Sequence, residues 1–235
     1  MNISMVPLVQ AYIMKVSLPP QIIRSINNHI DKKQEREDYA HRLAGEIRSG
    51  EQTKLDSDHE DLVALKMAFF RATEEYLIHW MQNSLNGRTA HAQNRNGIFS
   101  KTPEFEINDM WYNIYYEGDY NPLHNHGTPS RMGLSSFLFL KAPPSLQETA
   151  QEGFQTGGAH GLNDGLTYFN CGQSTGHDIY DLVCTNKLAV RPTVGDLWLF
   201  PKWLEHGVYP FRGQGERRTL AANVNIWFGK GKEDG

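Results

Sequence analysis

Three histidines in this chain have the spacing of a metal site. His124 and His126 stand one residue apart, and His206 follows about eighty residues later. An extended strand points residues i and i+2 to the same face, so the first pair can reach one metal ion from a single backbone segment. Taken alone, His124 and His126 could also belong to a turn beside Pro122 and Gly127 that binds no metal. Imidazole suits divalent iron, and an incomplete set of protein ligands leaves positions open for substrate and dioxygen.

An arginine follows the third histidine at a distance that suits a small anion. We predict that residues 206–211 and 216–228 form the two arms of a hairpin. In that register Arg217 lies roughly 13 Å along the ladder from His206, and an extended arginine covers about half of this gap. A short dicarboxylate would fill the remainder, with one end on the metal and the other in the bidentate fork of the guanidinium. Thr219 lies on the same strand face and would add a hydroxyl.

Strand parity decides which neighbouring side chains share the interior. Arg217 and Arg218 are adjacent, so only one of them faces inward on a strand, and the Arg-x-Thr spacing favours Arg217. Asn113 and Tyr115 share one face of an earlier strand. We assign both to co-substrate binding, with ordinary packing as the alternative.

Taken in order, these motifs resemble the Fe(II)- and 2-oxoglutarate-dependent oxygenases. The resemblance covers Asp109 to Phe228, about half of the chain, and its distal half is the more specific. The chain is similar to the oxygenases of bacteriophage and marine bacterial genomes that are distantly similar to prolyl 4-hydroxylases. The resemblance implies iron(II) as the metal and 2-oxoglutarate as the co-substrate. It also implies that the three histidines are the catalytic ligands and that Arg217 and Thr219 hold the distal carboxylate.

One residue departs from the superfamily pattern. The superfamily usually has Asp or Glu two residues after the first histidine, whereas this chain has His126. A neutral imidazole in that place removes one negative charge from the ligand set, which weakens iron(II) binding. Two interpretations follow: either His126 completes a three-histidine site, or it turns away and leaves two protein ligands, an arrangement compatible with halogenation or hydroxylation.

The resemblance further implies a reaction. Oxidative decarboxylation of 2-oxoglutarate gives succinate and carbon dioxide while dioxygen hydroxylates a C–H bond of a peptide side chain or small molecule, with ascorbate as a stimulant. Two other classes stay open. A non-catalytic jelly-roll binding module would show no affinity for 2-oxoglutarate. A three-histidine cupin-type dioxygenase that does not use 2-oxoglutarate would tolerate the loss of Arg217.

Composition limits the class of protein. The chain has 235 residues, 39% of them hydrophobic, which is enough for a sizeable core. Its net charge of −4 includes no long basic run, so we expect no nucleic-acid partner. Cys171 and Cys184 form no disulfide framework, and no apolar stretch reaches the length of a bilayer span. We expect a cytoplasmic protein without a membrane partner, and nothing in the sequence indicates an oligomeric state.

The chain divides into a helical part and a strand-rich part. Residues 1–104 are expected to form a first strand at residues 5–14 and two supporting helices, one opened by Pro19-Pro20 and a second capped by Ser57 or Asp58. Both predicted helices have apolar residues at helical spacing along one face. Residues 105–235 contain at least seven short strands broken by Gly and Pro. The resemblance implies a double-stranded β-helix, a form of jelly roll, with the helices packed on one sheet. We expect one integrated domain that is mainly β.

Two loops are candidates for substrate specificity. Residues 38–56 are polar, contain glycine and separate the two predicted helices. Residues 142–161 are rich in Pro, Gly, Gln and Thr, and a connection of that length is usually a lid, a binding loop or disordered. We predict that these loops select the primary substrate.

Overall fold

The computed structural model describes residues 11–33, 37–42, 45–84, 101–127, 132–147, 163–172 and 187–228. The helices in this part of the chain are α1 (Pro20–Lys32), α2 (Val63–Asn83) and the single turn α3 (Pro144–Gln147). The strands are β1 (Met14–Ser17), β2 (Glu51–Lys54), β3 (Pro103–Tyr115), β4 (Asn121–His124), β5 (Met132–Lys141), β6 (Thr167–Asn170), β7 (Lys187–Val190), β8 (Asp196–Pro201), β9 (Glu205–Val208) and β10 (Arg217–Phe228).

These strands form two antiparallel sheets that face each other. Among the described residues, the larger sheet has the order β1-β8-β5-β10-β3-β2, and the smaller has the order β4-β9-β6-β7. Buried aromatic and aliphatic side chains from both sheets meet between them, including Phe137 and Phe139 of β5, Phe169 of β6 and Phe200 of β8. This is the jelly-roll arrangement expected from the sequence, so the predicted fold class is confirmed.

The helices cover the outer face of the larger sheet. Ile23, Ile26 and Ile30 of α1 recur at helical spacing and are buried in the same core as Leu220 and Ala222 of β10. Alternate residues of β10 point to the opposite face, because successive side chains of a strand alternate. The central strand is therefore buried on both faces, one against helices and one against the smaller sheet. None of the described helices is both long and apolar enough to cross a membrane.

Two local predictions for the N-terminal part need correction. The first described strand is Met14–Ser17, whereas the sequence predicted a strand over residues 5–14. Residues 5–10 of that prediction lie outside the described residues. Neither Ser57 nor Asp58 caps the second helix. His59 instead accepts a hydrogen bond from the Asp61 N–H at 3.2 Å and begins a 3₁₀ turn that leads into α2. An imidazole nitrogen offers the acceptor that a hydroxyl or carboxylate would otherwise supply.

The predicted hairpin after the third histidine is wrong. β9 pairs with β4 and β6 of the smaller sheet, whereas β10 pairs with β3 and β5 of the larger one. Arg217 lies opposite Tyr115, not opposite the segment that follows His206. The segment that connects β9 to β10 thus crosses from the smaller sheet to the larger one. Arg217 and His206 are therefore separated across the space between the sheets, and not along one pair of hydrogen-bonded strands.

The two predicted loops differ in what the structure describes. Residues 38–56 are not a free loop, because they contain β2, which extends the larger sheet beyond β3. Residues 148–161 of the second loop lie outside the described residues, as does Cys184, and the described part of that loop contains α3. Cys171 is a free thiol.

Candidate metal and co-substrate site

The three histidines line one cavity together with residues of both sheets. One ring nitrogen from each of His124, His126 and His206 lies within 4.8 Å of the others. The ring centroids of His124 and His206 are 4.3 Å apart, and those of His126 and His206 are 5.1 Å apart. A cluster of imidazoles this tight is compatible with a single divalent ion.

Strand pairing and a turn bring these histidines together. His124 ends β4 and lies directly opposite His206 in β9. His126 follows the end of β4, and its backbone N–H donates to the carbonyl of Lys202 at 2.9 Å. That carbonyl belongs to the turn between β8 and β9, so the same turn that leads into His206 also fixes the backbone of His126. The structure therefore brings all three predicted ligands to one point.

Backbone carbonyls select the nitrogen that is left for a metal. His124 Nδ1 lies 2.8 Å from the carbonyl oxygen of Pro122, and His206 Nδ1 lies 3.0 Å from that of Leu204. Each Nδ1 therefore donates its proton to a carbonyl, and each Nε2 carries the lone pair that a metal could use. This tautomer and ring orientation are what metal-ligating histidines adopt in proteins.

Burial keeps the triad neutral. Loss of solvent lowers the pKa of His124, and loss of solvent together with the neighbouring His124 lowers the pKa of His126 to about 4. The pKa of His206 is held well below its usual value for the same two reasons. Because imidazole must be neutral to coordinate, a triad that is uncharged at neutral pH fits a divalent metal ion.

Arg217 lies in the same cavity and is almost completely buried. Its Nε donates to the carbonyl of Gly165 at 3.1 Å, and its Nη2 donates to the hydroxyl of Thr167 at 2.9 Å. The rings of Tyr115 and Phe139 lie 5.8 and 5.3 Å from the guanidinium carbon. No described carboxylate pairs with this guanidinium. Burial lowers the pKa of Arg217 to about 10, so the group remains charged at neutral pH.

The neighbouring arginine has a different environment. Arg218 points to the opposite face of β10, where its Nη2 donates to Asp31 at 2.8 Å and its Nη1 to Asn27 at 3.1 Å, both on α1. Its Nε also pairs with Glu216. A buried charge is stable when it is paired and hydrogen-bonded, which Arg218 achieves within the protein. Arg217 has no such anionic partner among the residues that the structure describes, so its cavity is complementary to a bound anion.

The other residues predicted for the co-substrate also line this cavity. Thr219 follows Arg217 on the same face of β10, and Asn113 and Tyr115 lie opposite them on β3. Burial raises the pKa of Tyr115 above its usual range, so its phenol is a neutral O–H group. The amide oxygen of Asn113 is buried and has no hydrogen-bond partner. The cavity thus presents several polar groups that are free to receive a ligand.

Several cavity residues were not identified from the sequence, including Thr167, which bonds Arg217, and Asn121, which contacts His124. Asn121, at the start of β4, lines the cavity beside His124 and also has a buried amide oxygen without a partner. Asparagine is common in turns, and its position next to Pro122 gave no reason to separate it from a turn residue. In the folded structure its contact with His124 distinguishes it from an ordinary turn residue.

Aromatic rings enclose the triad on its inner side. The ring centroid of Phe200 lies 4.6 Å from that of His206, and the centroid of Trp111 lies 5.8 Å from that of His126. Apolar walls exclude water and strengthen the electrostatic interactions inside a site. The cavity can therefore hold a cation and an anion close together with little solvent screening.

A second cluster of side chains that could ligate a metal lies near the surface. His29, His59 and Asp61 also approach within 4.8 Å of one another. Their polar atoms are engaged, because His29 Nδ1 lies 3.0 Å from the Asp61 carboxylate and His59 Nδ1 accepts the Asp61 N–H. These contacts tie the end of α1 to the start of α2, which is a structural role.

Comparison with known proteins agrees with this geometry. Residues 109–223 match a family described as "Putative 2OG-Fe(II) oxygenase". The resemblance read from the sequence is thereby confirmed over the residues that carry it, and this family uses iron(II) and 2-oxoglutarate. No curated protein sequence matches the chain.

Solved structures support the same fold. A prolyl hydroxylase from Trichoplax adhaerens, in complex with a peptide fragment of the hypoxia inducible factor oxygen degradation domain, is 11% identical to this chain with a TM-score of 0.50. The alignment covers 94% of this chain and 86% of that one. The alpha-ketoglutarate-dependent carbocyclase SnoK of nogalamycin biosynthesis is 11% identical with a TM-score of 0.51, covering 90% of this chain and 78% of that one. At these identities the likeness shows the fold alone.

Proposed function

Because residues 109–223 match the 2OG-Fe(II) oxygenase family, we propose that this protein is an iron(II)- and 2-oxoglutarate-dependent dioxygenase that hydroxylates a C–H bond. In this proposal His124, His126 and His206 hold the metal. Arg217 and Thr219 hold the distal carboxylate of 2-oxoglutarate. One observation carries the proposal: a neutral histidine triad and a buried guanidinium without a described carboxylate partner share one cavity.

When bound, the iron and 2-oxoglutarate supply oxygen activation, with succinate and carbon dioxide as co-products. The protein supplies orientation and charge. The carbonyls of Pro122 and Leu204 fix the rings of His124 and His206, so both Nε2 atoms point to one place. Arg217 contributes a positive charge whose direction is set by its bonds to Gly165 and Thr167.

Tyr115 and Asn113 complete the polar lining on the β3 side. The neutral phenol of Tyr115 can donate to a carboxylate oxygen without bringing a competing negative charge. The amide oxygen of Asn113 is buried without a described partner, and rotation of this amide would direct its NH₂ group to the same ligand. Both residues act in this proposal by orienting the co-substrate between the triad and Arg217.

We propose a peptide side chain or a small molecule as the primary substrate. Two proteins with a similar fold differ in what they bind or act in, since one is described in complex with a peptide fragment and the other as a carbocyclase of nogalamycin biosynthesis. The substrate therefore follows from the residues near the cavity mouth and not from the fold. Screening should start with prolyl peptides and continue with small metabolites.

Two measurements test the proposal. The purified protein with iron(II), ascorbate and labelled 2-oxoglutarate should form labelled succinate, and calorimetry should show one Mn(II) bound per chain. His124→Ala and His206→Ala should lose Mn(II) while circular dichroism shows an intact fold. His79→Ala, at an exposed position of α2, is the matched control and should bind like wild type. A wild-type protein that binds neither Mn(II) nor 2-oxoglutarate would be a jelly-roll binding module instead.

A further inference from the structure

Asn121 contacts the nitrogen that a metal would use. Its Nδ2 lies 3.4 Å from His124 Nε2, while His124 Nδ1 is occupied by the carbonyl of Pro122 at 2.8 Å. Nε2 is therefore the lone-pair nitrogen of this ring, and the Asn121 NH₂ group donates to it. A metal ion on Nε2 takes the place of that donated hydrogen bond. The amide of Asn121 must then find another arrangement.

The amide oxygen of Asn121 is the group free to respond. Oδ1 is buried and has no hydrogen-bond partner, although it lines the cavity beside the triad. A buried acceptor without a partner costs free energy, so a cation nearby would satisfy it. The positive end of the amide, its NH₂ group, is repelled by the same cation. Without a metal ion, the NH₂ group of Asn121 faces His124. With a metal ion on His124, the amide oxygen is favoured in that position.

Because the three histidines are neutral, an additional oxygen atom would stabilise a cation bound to them. His126 stands where the superfamily usually has a carboxylate, so the triad offers no negative charge. Two nearby carboxylates are engaged elsewhere. Asp119 accepts the backbone N–H groups of Arg48 and Tyr116, and Asp109 accepts from the Tyr39 hydroxyl. Asn121 also has a side-chain oxygen, and its amide contacts Nε2 of His124, the nitrogen proposed to bind the metal.

The backbone around Asn121 is held firmly by the N-terminal part of the chain. Glu46 and Tyr120 exchange backbone hydrogen bonds of 3.2 and 3.1 Å. Gly45 approaches so closely that a Cβ there would lie 2.7 Å from the Asn121 Cα. The main chain at Asn121 is therefore fixed, and a change on metal binding is confined to rotation of the side-chain amide.

We propose that Asn121 is a metal-positioning residue whose amide holds His124 in the metal-free protein and turns its oxygen to the metal ion when the ion binds. The inference rests on the proposed function, because it concerns the same metal. The Asn121 oxygen then stabilises the metal ion in part, where the neutral His126 contributes no negative charge. The oxygen of a neutral amide provides a dipole instead of a full charge, so the site would bind metal less tightly than one with a carboxylate.

The test compares Mn(II) affinity in four proteins by anaerobic calorimetry. Asn121→Ala should weaken binding about ten- to a hundredfold, as expected for losing one charge-assisted contact. Asn121→Asp, which has nearly the same shape, should tighten binding at neutral pH because it adds the missing negative charge. Asn125→Ala is the matched control. Asn125 is exposed, lies between His124 and His126, and should leave the affinity unchanged.

A spectroscopic readout separates a contact to the metal from a purely structural effect. The visible absorption spectrum of the Co(II)-loaded protein should change in both Asn121 variants and not in Asn125→Ala. Equal Mn(II) affinity and equal spectra for wild type, Asn121→Ala and Asn121→Asp would overturn the inference while leaving the proposed function intact. If Asn121→Ala does not fold, weaker or unchanged Mn(II) binding by Asn121→Asp would overturn it. Failure of the wild-type protein to bind Mn(II) would instead refute the proposed function.

Discussion

Two adjacent arginines on β10 show how strongly the environment of one residue decides its role. Arg218 has carboxylate partners in Asp31 and Glu216, and it joins the sheet to α1. Arg217 is bonded to a carbonyl and a hydroxyl, and its positive charge has no described counter-ion. A buried charge of this kind is a natural site for an anionic ligand, because the ligand supplies the missing partner.

We expect Arg217→Lys to raise the dissociation constant of 2-oxoglutarate about ten- to a hundredfold. Lysine keeps the charge, but its three donors are on a single nitrogen. It therefore cannot reproduce the planar fork that bonds Gly165 and Thr167 and still faces a carboxylate with two parallel N–H groups. The expected loss is about 1.5–3 kcal/mol. Anaerobic calorimetry with the Mn(II)-loaded protein measures the effect. A three-histidine cupin-type enzyme that does not use 2-oxoglutarate would show no loss.

Arg218→Lys is the control for this substitution. It should lower the melting temperature, since it weakens the contacts between β10 and α1, and leave the 2-oxoglutarate affinity near the wild-type value. The opposite pattern, with affinity lost only in Arg218→Lys, would mean that the inward-facing arginine has been assigned incorrectly.

Among the elements, an N-terminal segment braces the part of the chain that carries His124. The chain at Gly45 passes directly over the start of β4, and a Cβ there would lie 2.1 Å from the carbonyl oxygen of Tyr120 and 2.8 Å from Pro122 Cδ. The first is a backbone atom and the second belongs to a rigid ring, so neither can move aside cheaply. The segment beside β2 is thus part of the architecture that places His124.

We expect Gly45→Ala to weaken Mn(II) binding and to cost about 1–3 kcal/mol of stability, because the added methyl group pushes β4 away. Gly127→Ala is the matched control. It lies next to His126, and its Cβ would meet nothing within 4 Å. Chemical denaturation and Mn(II) calorimetry of both variants measure the difference. If Gly45→Ala equals Gly127→Ala in both assays, the brace has no influence on the site.

At the scale of the whole molecule, N-terminal strands join both edges of the larger sheet. β1 pairs with β8 and β2 pairs with β3, while α1 and α2 cover the outer face. Removing residues 1–104 would expose that face and two strand edges. We therefore propose that residues 1–104 and 105–235 fold as one integrated domain.

A buried lysine makes the stability of this domain depend on pH. Lys202 is 1% exposed, and its Nζ lies 2.5 Å from Asn225 Oδ1. Burial lowers the pKa of Lys202 to about 8 from its usual 10.5. Between these two values the unfolded chain holds a proton that the native protein has released. The free energy of unfolding therefore rises with pH across this window.

We expect this contribution to amount to about 2–3 kcal/mol between pH 8 and pH 10.5. Below pH 8 the lysine is charged in both states, so its burial cost is fully present. Lys202→Met removes the titration. The wild-type protein should gain stability relative to this variant as the pH rises, which urea denaturation at several pH values measures. A constant difference between the two proteins would contradict the assigned shift.

Residue types and their order were sufficient to predict much of this protein. The spacing of His124, His126, His206 and Arg217 suggested the metal and the anion, and helical periodicity located α1 and the buried face of α2. These signals are local or compositional: a strand alternates its faces and a helix repeats every 3.6 residues wherever they occur. The family resemblance lay in the same residues.

Only the tertiary structure decided which segments become neighbours. Proximity in sequence suggested that β9 pairs with β10, but the two strands belong to different sheets, because pairing depends on what each face can bury across the whole molecule. The roles of Gly45 and Asn121 follow from a contact between segments more than seventy residues apart, which no local pattern encodes. The sequence determined which groups are available for chemistry, and the packing of distant segments determined which of them meet.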